Sequence, residues 1–176
     1  MLVAMSVFGW LAWTSHGESG VGHVAGGRPA GAAASSIPDE RYEFLAAFAA
    51  PEYMPIRGAS KPFQAAMGLY QKQDYSGAAS SLRTVTDAQP GLTDARFYLG
   101  VSLLLSGDRI AGIQELRALT DEGDSPYLER GRFYLAKGLL AEHDAKRAQK
   151  QLESLIEQHG NLEKQATALL EQIRSS

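Results

Sequence analysis

Few residues of this chain are of a type that does chemistry, and their spacing argues against catalysis. There is no cysteine, so thiolate nucleophiles, disulfides and cysteine-based zinc sites are excluded. The four histidines (His16, His23, His143, His159) are scattered, and no serine and carboxylate fall into a triad-like order around any of them. His16 and His23 lie in a glycine-rich stretch without further ligands nearby. His143 and His159 stand where turns are expected. Glu115, Asp121, Glu122 and Asp124 form an acidic cluster, but their spacing is not that of a calcium loop. They read as a solvated corner. No glycine-rich loop between a strand and a helix is present to cradle a phosphate. No catalytic residue, cofactor site or metal site is therefore assigned. What does recur is an aromatic: Phe63, Phe97 and Phe133 open three similar segments. Flexible and aromatic side chains in register suit non-covalent capture of a peptide rather than a reaction.

The elements that would position these residues follow from the repeat. FQAAMGLYQKQDYSGAASSLR, FYLGVSLLLSGDRIAGIQELR and FYLAKGLLAEHDAKRAQKQLE begin at Phe63, Phe97 and Phe133, at offsets of 34 and 36 residues. Each places Asp eleven residues after its Phe (Asp74, Asp108, Asp144) and Leu eight residues later (Leu82, Leu116, Leu152). Such a period signals stacked helical hairpins. The spacing predicts helices over 59–72 and 76–88, 93–106 and 109–121, and 127–142 and 145–158. A last helix over 161–174, apolar on one side and wet on the other, would cap the stack. The aspartates would cap the second helix of each pair. Pro90-Gly91 and Asp124-Ser125-Pro126 would close the first two hairpins.

The small–large pattern Ala66/Leu69/Ala78/Leu82, Gly100/Leu103/Gly112/Leu116 and Ala136/Leu139/Ala148/Leu152 resembles the tetratricopeptide repeat family over residues 59–174. The resemblance implies an all-α solenoid: hairpins 59–92, 93–126 and 127–160, a lead-in helix and the cap 161–174. Gly112 stands where the family has Ala, which marks the second helix of repeat two as the softest. The family register implies a concave face lined by Phe63, Met67 and Tyr70, by Phe97, Val101 and Leu104, and by Phe133, Lys137 and Leu140. At the places where some family members hold a terminal carboxylate stand Phe63, Met67, Tyr98, Arg130 and Tyr134; only Arg130 suits that task, so capture of a terminal carboxylate is not expected. The implied function is a non-catalytic scaffold that binds a protein or peptide in this groove. The alternative is an assembly module whose groove is filled by its own residues 40–56.

Ahead of the repeats, Asp39–Ala50 reads as an amphipathic helix ended by Pro51 and Pro55, and residues 52–58 as extended chain. Together they make a lead-in region over 39–58. Residues 14–38 are rich in Gly, Ala and Ser and read as a flexible tether. Residues 1–13 are apolar. Leu2–Trp13 as a helix would be about 18 Å long, against a bilayer core of about 30 Å. Three readings remain open: part of a membrane anchor that begins upstream, a signal-peptide core, or a buried helix. A weaker likeness, carried by the order of these segments with PEYMPIRG and GDSPYLERGRFYLAKGLL, is to the extracytoplasmic part of bacterial membrane proteins with an anti-sigma-type zinc finger. That finger is absent here. The likeness implies membrane attachment through the N-terminal segment and a periplasmic domain. Net charge is −3, with basic and acidic residues interleaved, so neither nucleic acid nor an anionic lipid surface is an expected partner of the folded part.

Overall fold

The computed structural model describes residues 37–53, 55–56, 58–123 and 125–175. The expected apolar segment and the expected tether as far as residue 36, with His16 and His23, lie outside the described residues, as does Asp124; at the tether's end Ile37 is buried in the core. Eight helices and no β-sheet are found among the described residues: α1 (Asp39–Ala46), α2 (Lys61–Gln71), α3 (Tyr75–Ala88), α4 (Thr93–Ser106), α5 (Arg109–Glu122), α6 (Leu128–Ala141), α7 (Ala145–Ile156) and α8 (Glu163–Arg174). Helices α2/α3, α4/α5 and α6/α7 are antiparallel hairpins, each packed on the next. Helix α8 packs on α7, and α1 lies against α6 and, more lightly, α8.

The three hairpin turns use one device. The Asp74, Asp108 and Asp144 carboxylates accept the amides of Gly77 (2.9 Å), Ala111 (3.3 Å) and Arg147 (2.9 Å) and so start α3, α5 and α7. In the first and third turns the preceding helix also ends in a Schellman motif. Asp74 N–H donates to Leu69 O while Gln73 N–H donates to Tyr70 O; Asp144 and His143 repeat this on Leu139 and Leu140. That motif needs a left-handed residue. Gln73 (φ 63°) and His143 (φ 57°) supply it, as Gly107 (φ 93°) does in the second turn. His143 is thus a turn residue. Its ring stacks on Tyr42 at 4.5 Å, and its Nδ1 lies 3.4 Å from Asp39 Oδ1. His159 (φ 50°) is likewise in a turn, beside Glu163. In the acidic corner Glu122 is paired with Arg96, which also donates to Pro90 O. At the other end the Glu129 carboxylate of α6 accepts the Leu162 amide and holds the start of α8.

The core is one continuous apolar cluster through all hairpins. Ala66, Ala78, Ala136 and Ala148 are fully buried where paired helices cross, and Leu82, Leu116 and Leu152 fill the space beside them. The second hairpin corrects the expectation for Gly112. A Cβ there would stand 2.9 Å from the Gly100 carbonyl oxygen and 2.8 Å from the Leu104 side chain. The glycine is demanded by the close approach of α5 to α4; it is not a soft spot. Gly112→Ala should therefore lower stability by about 1–2 kcal/mol in urea unfolding, because overpacking of about 1–3 kcal/mol outweighs alanine's helix advantage of up to about 1 kcal/mol. Unchanged or raised stability would show that the two helices separate freely.

Helix α1 is shorter than the alanine-rich sequence predicts. It stops at Ala46, and Ala47 is already extended (φ −57°, ψ 133°). Local propensity favours helix through Ala49 and Ala50. Tertiary bonds override it, and these bonds define the candidate site.

Candidate peptide-binding trough

Helices α2, α4 and α6 form one face of the stack, and residues 47–53, directly after α1, run across it as an extended strand. The strand is held by its main chain. Lys137 Nζ donates to Leu45 O (2.6 Å) and Ala47 O (2.9 Å). The Tyr134 hydroxyl donates to Ala49 O (3.1 Å), that of Tyr70 to Pro51 O (3.0 Å) and that of Tyr98 to Glu52 O (3.3 Å). Every hairpin thus supplies at least one donor. The strand enters over α6 and leaves over α2, opposite to the order of the repeats.

Two aromatic side chains pin it. Phe48 meets Tyr134 edge-on at 5.3 Å, and Tyr53 meets both Phe63 (6.1 Å) and Tyr98 (5.5 Å) edge-on. Tyr98 and Tyr134 each directly follow the recurrent Phe, on the face turned to the strand. In the first repeat the equivalent residue is Gln64, whose amide folds back on Ala59 O, and Tyr70, two turns along α2, does the work instead. Tyr134 and Lys137 share a face of α6 by their i,i+3 spacing. The Lys137 ammonium lies at the C-terminal end of α1, where cations complement the helix dipole. Burial lowers its pKa from the ordinary lysine value.

The sequence leaves open whether the ladder faces solvent or is covered by residues 40–56; the structure shows mostly buried residues. Phe63, Met67, Tyr70, Phe97, Val101, Leu104 and Leu140 are all buried, Phe133 and Lys137 are half-buried, and only Arg130 is exposed. The strand accounts for Phe63. Phe97 is sequestered in another way: it stacks on Tyr127 (4.8 Å) between α4 and the start of α6. Leu104 borders a second cleft, beside Phe48 and Gly138. Lys137 is not free to meet a ligand, because it holds α1.

The trough is not filled to its end. Beside Pro51 and Glu52 a cleft of about 400 Å3 stays open, walled by Tyr98, Tyr127, Arg130, Phe133 and Tyr134. Next to it the Asp94 carboxyl is pushed up by burial, with the Tyr127 hydroxyl bond pulling it back. The sequence reading sets Tyr98 and Tyr134 aside as unsuited to a carboxylate and does not foresee that their hydroxyls meet main-chain carbonyls. The signal was there: the dipeptide Phe-Tyr recurs at 97–98 and 133–134.

The tyrosines make the site sensitive to alkali. Burial, the largest cause for each, raises the phenols of Tyr70, Tyr98, Tyr127 and Tyr134 above their ordinary value near 10, that of Tyr134 to about 12. An acid whose folded pKa is raised contributes stability in full below the unfolded pKa and loses it as pH climbs through the folded one. Melting temperature should therefore fall steeply between pH 10 and 12. Tyrosinate absorbance at 295 nm should lag behind free tyrosine and then rise together with unfolding. A single non-cooperative titration near pH 10 would contradict the buried hydroxyl contacts.

No family model and no curated protein matches the sequence. Solved structures do match its fold. The Yersinia enterocolitica type III secretion translocator chaperone SycD superposes with a TM-score of 0.57 at 18% identity, over 65% of this chain and 81% of that one. SycD in complex with a peptide of the translocator YopD gives 0.60 at 18%, over 68% and 97%. The CopN–Scc3 complex gives 0.54 at 18%, over 80% and 87%. This chain is a tetratricopeptide-like α-solenoid. At this identity the likeness carries the fold and leaves function to the site. No helix among the described residues is long and apolar enough to cross a membrane.

Proposed function

We propose that the chain is a non-catalytic binding module whose α2/α4/α6 face grips extended polypeptide by its main chain. The observation that carries this reading is the set of donors, drawn from all three hairpins, that meet the carbonyls of residues 45–52. Main-chain carbonyls are common to every peptide, so such a trough supplies affinity, while the aromatic contacts at Phe63, Tyr98 and Tyr134 select side chains. The complex of SycD with a YopD peptide supports it, as a similar stack that holds a peptide. The alternative, a module closed for good by its own residues 40–56, is favoured by the same strand, which occupies the face in the full chain. The two differ in whether the strand can leave. Attachment to a membrane through residues 1–13, with the hairpins on the extracytoplasmic side, belongs to the proposal too. The attachment rests on the apolar and glycine-rich composition of residues 1–38, and the extracytoplasmic side only on the weaker likeness to bacterial membrane proteins.

The test is selection of a displayed random peptide library on the full chain, followed by Tyr98→Phe and Tyr134→Phe. Each substitution removes one hydroxyl and no ring. The proposal expects enriched peptides whose binding weakens in both variants. No enrichment, or binding indifferent to both, would favour the permanently closed module.

A further inference from the structure

The strand in the trough differs from the rest of the packed chain in how it is held. Helix α1 buries Tyr42, Leu45 and Ala46, whereas no described residue from Ala47 to Ile56 is fully buried. Its hold comes from Lys137 and the tyrosine donors on carbonyls, plus two aromatic side chains five residues apart, with Pro51 and two alanines between them. Any extended segment can offer the same carbonyls. Only the aromatic spacing is particular to this one. Directly beside the strand lies the open cleft with the exposed Arg130, and Glu52 of the strand borders it. An incoming chain can therefore make its first contacts in the cleft before the strand departs.

We infer that residues 47–53 are a built-in occupant, displaced by a partner's extended segment of the same chemistry: aromatic, two small residues, proline, an acidic residue, aromatic. The acid is placed toward Arg130, and the two rings take the positions of Phe48 and Tyr53. Helix α1 stays docked through its own packing on α6 and α8 and the Lys137 bond to Leu45 O. The inference rests on the peptide-binding reading above and adds to it the identity of the ligand class and a means of control. An attached occupant competes at an effective concentration in the millimolar range, so it raises the apparent dissociation constant of any rival in inverse proportion to the fraction of open trough.

The experiment uses the full chain and, as probe, a fluorescein-labelled synthetic peptide with the sequence of residues 46–56. Binding is read by anisotropy for the wild type and for Phe48→Ala/Tyr53→Ala, which loosens the strand and leaves every donor in the trough intact. The expected result is at least about tenfold tighter binding to the variant, lost again when Tyr98→Phe and Tyr134→Phe are added. Circular dichroism shows whether the double variant is folded; if it is not, Tyr53→Ala alone serves, with the same direction of change. Equal, measurable binding to wild type and variant would overturn the inference and leave the peptide-binding reading standing. No binding to a folded variant would overturn both. Wild type that runs as a dimer and becomes monomeric on adding peptide would place a second copy's strand in the trough, and would overturn an occupant from the same chain.

Discussion

A chain that begins at Gly58 is expected to lose about 3–5 kcal/mol of stability relative to one that begins at Ser35. Helix α1 and the strand together bury Tyr42 and Leu45 almost completely and Phe48 and Tyr53 in part. Full burial of one such side chain contributes about 1.5–3 kcal/mol, and ordering the segment offsets part of the sum. The loss is large beside a total of about 5–15 kcal/mol for a domain of this kind. The truncated chain should also bind a hydrophobic dye, because Phe63, Tyr98 and Tyr134 lose their cover. Urea midpoints and dye fluorescence of the two chains decide it. Equal stability would mean that the strand is only laid on a face that is complete without it. The chain starting at Ser35 is the necessary control, since it keeps α1 and the strand while lacking residues 1–34.

The second large effect separates the rungs of the phenylalanine ladder. Phe97→Ala should cost about 3–5 kcal/mol, the usual range for a fully enclosed ring. Phe97 is inaccessible and is packed against Tyr98, Tyr127 and Tyr134. Phe133 occupies the same place in the next repeat but is half-buried, faces the open cleft and lies 5.9 Å from the Lys137 ammonium. Phe133→Ala should cost only about 1–2 kcal/mol, since less of its surface returns to water. Denaturant titration of both variants measures the contrast. Equal losses would show that these two rungs are equivalent and that the open cleft closes in solution.

The repeat itself was readable because it is written in local terms. A phenylalanine, an aspartate and a leucine at fixed offsets mark helix, turn and helix. The aspartate turns form through contacts within three residues. The expected helix limits from 59 to 174 therefore lie within a few residues of the observed ones, with most of the difference at fraying ends. Where the outcome depended on a distant partner, the sequence was a poor guide. Ala47–Ala50 has the composition of a helix and becomes a strand because Lys137 and Tyr134, about ninety residues away, take its carbonyls. Gly112 looked like a weakness until Gly100 was seen opposite it. The exposure of Phe63 could not be read from its own hairpin, since Tyr53 is what covers it.

A trough occupied from within requires residues 47–53 to lie on the α2/α4/α6 face in solution. The most direct measurement is the set of nuclear Overhauser contacts between aromatic rings in the full chain at neutral pH. Cross-peaks are expected from Tyr53 to both Phe63 and Tyr98 and from Phe48 to Tyr134, and all three should vanish together when a displacing peptide saturates the trough. A Tyr53 ring with narrow, solvent-like resonances and no contact to Phe63 or Tyr98 in the unliganded protein would contradict it.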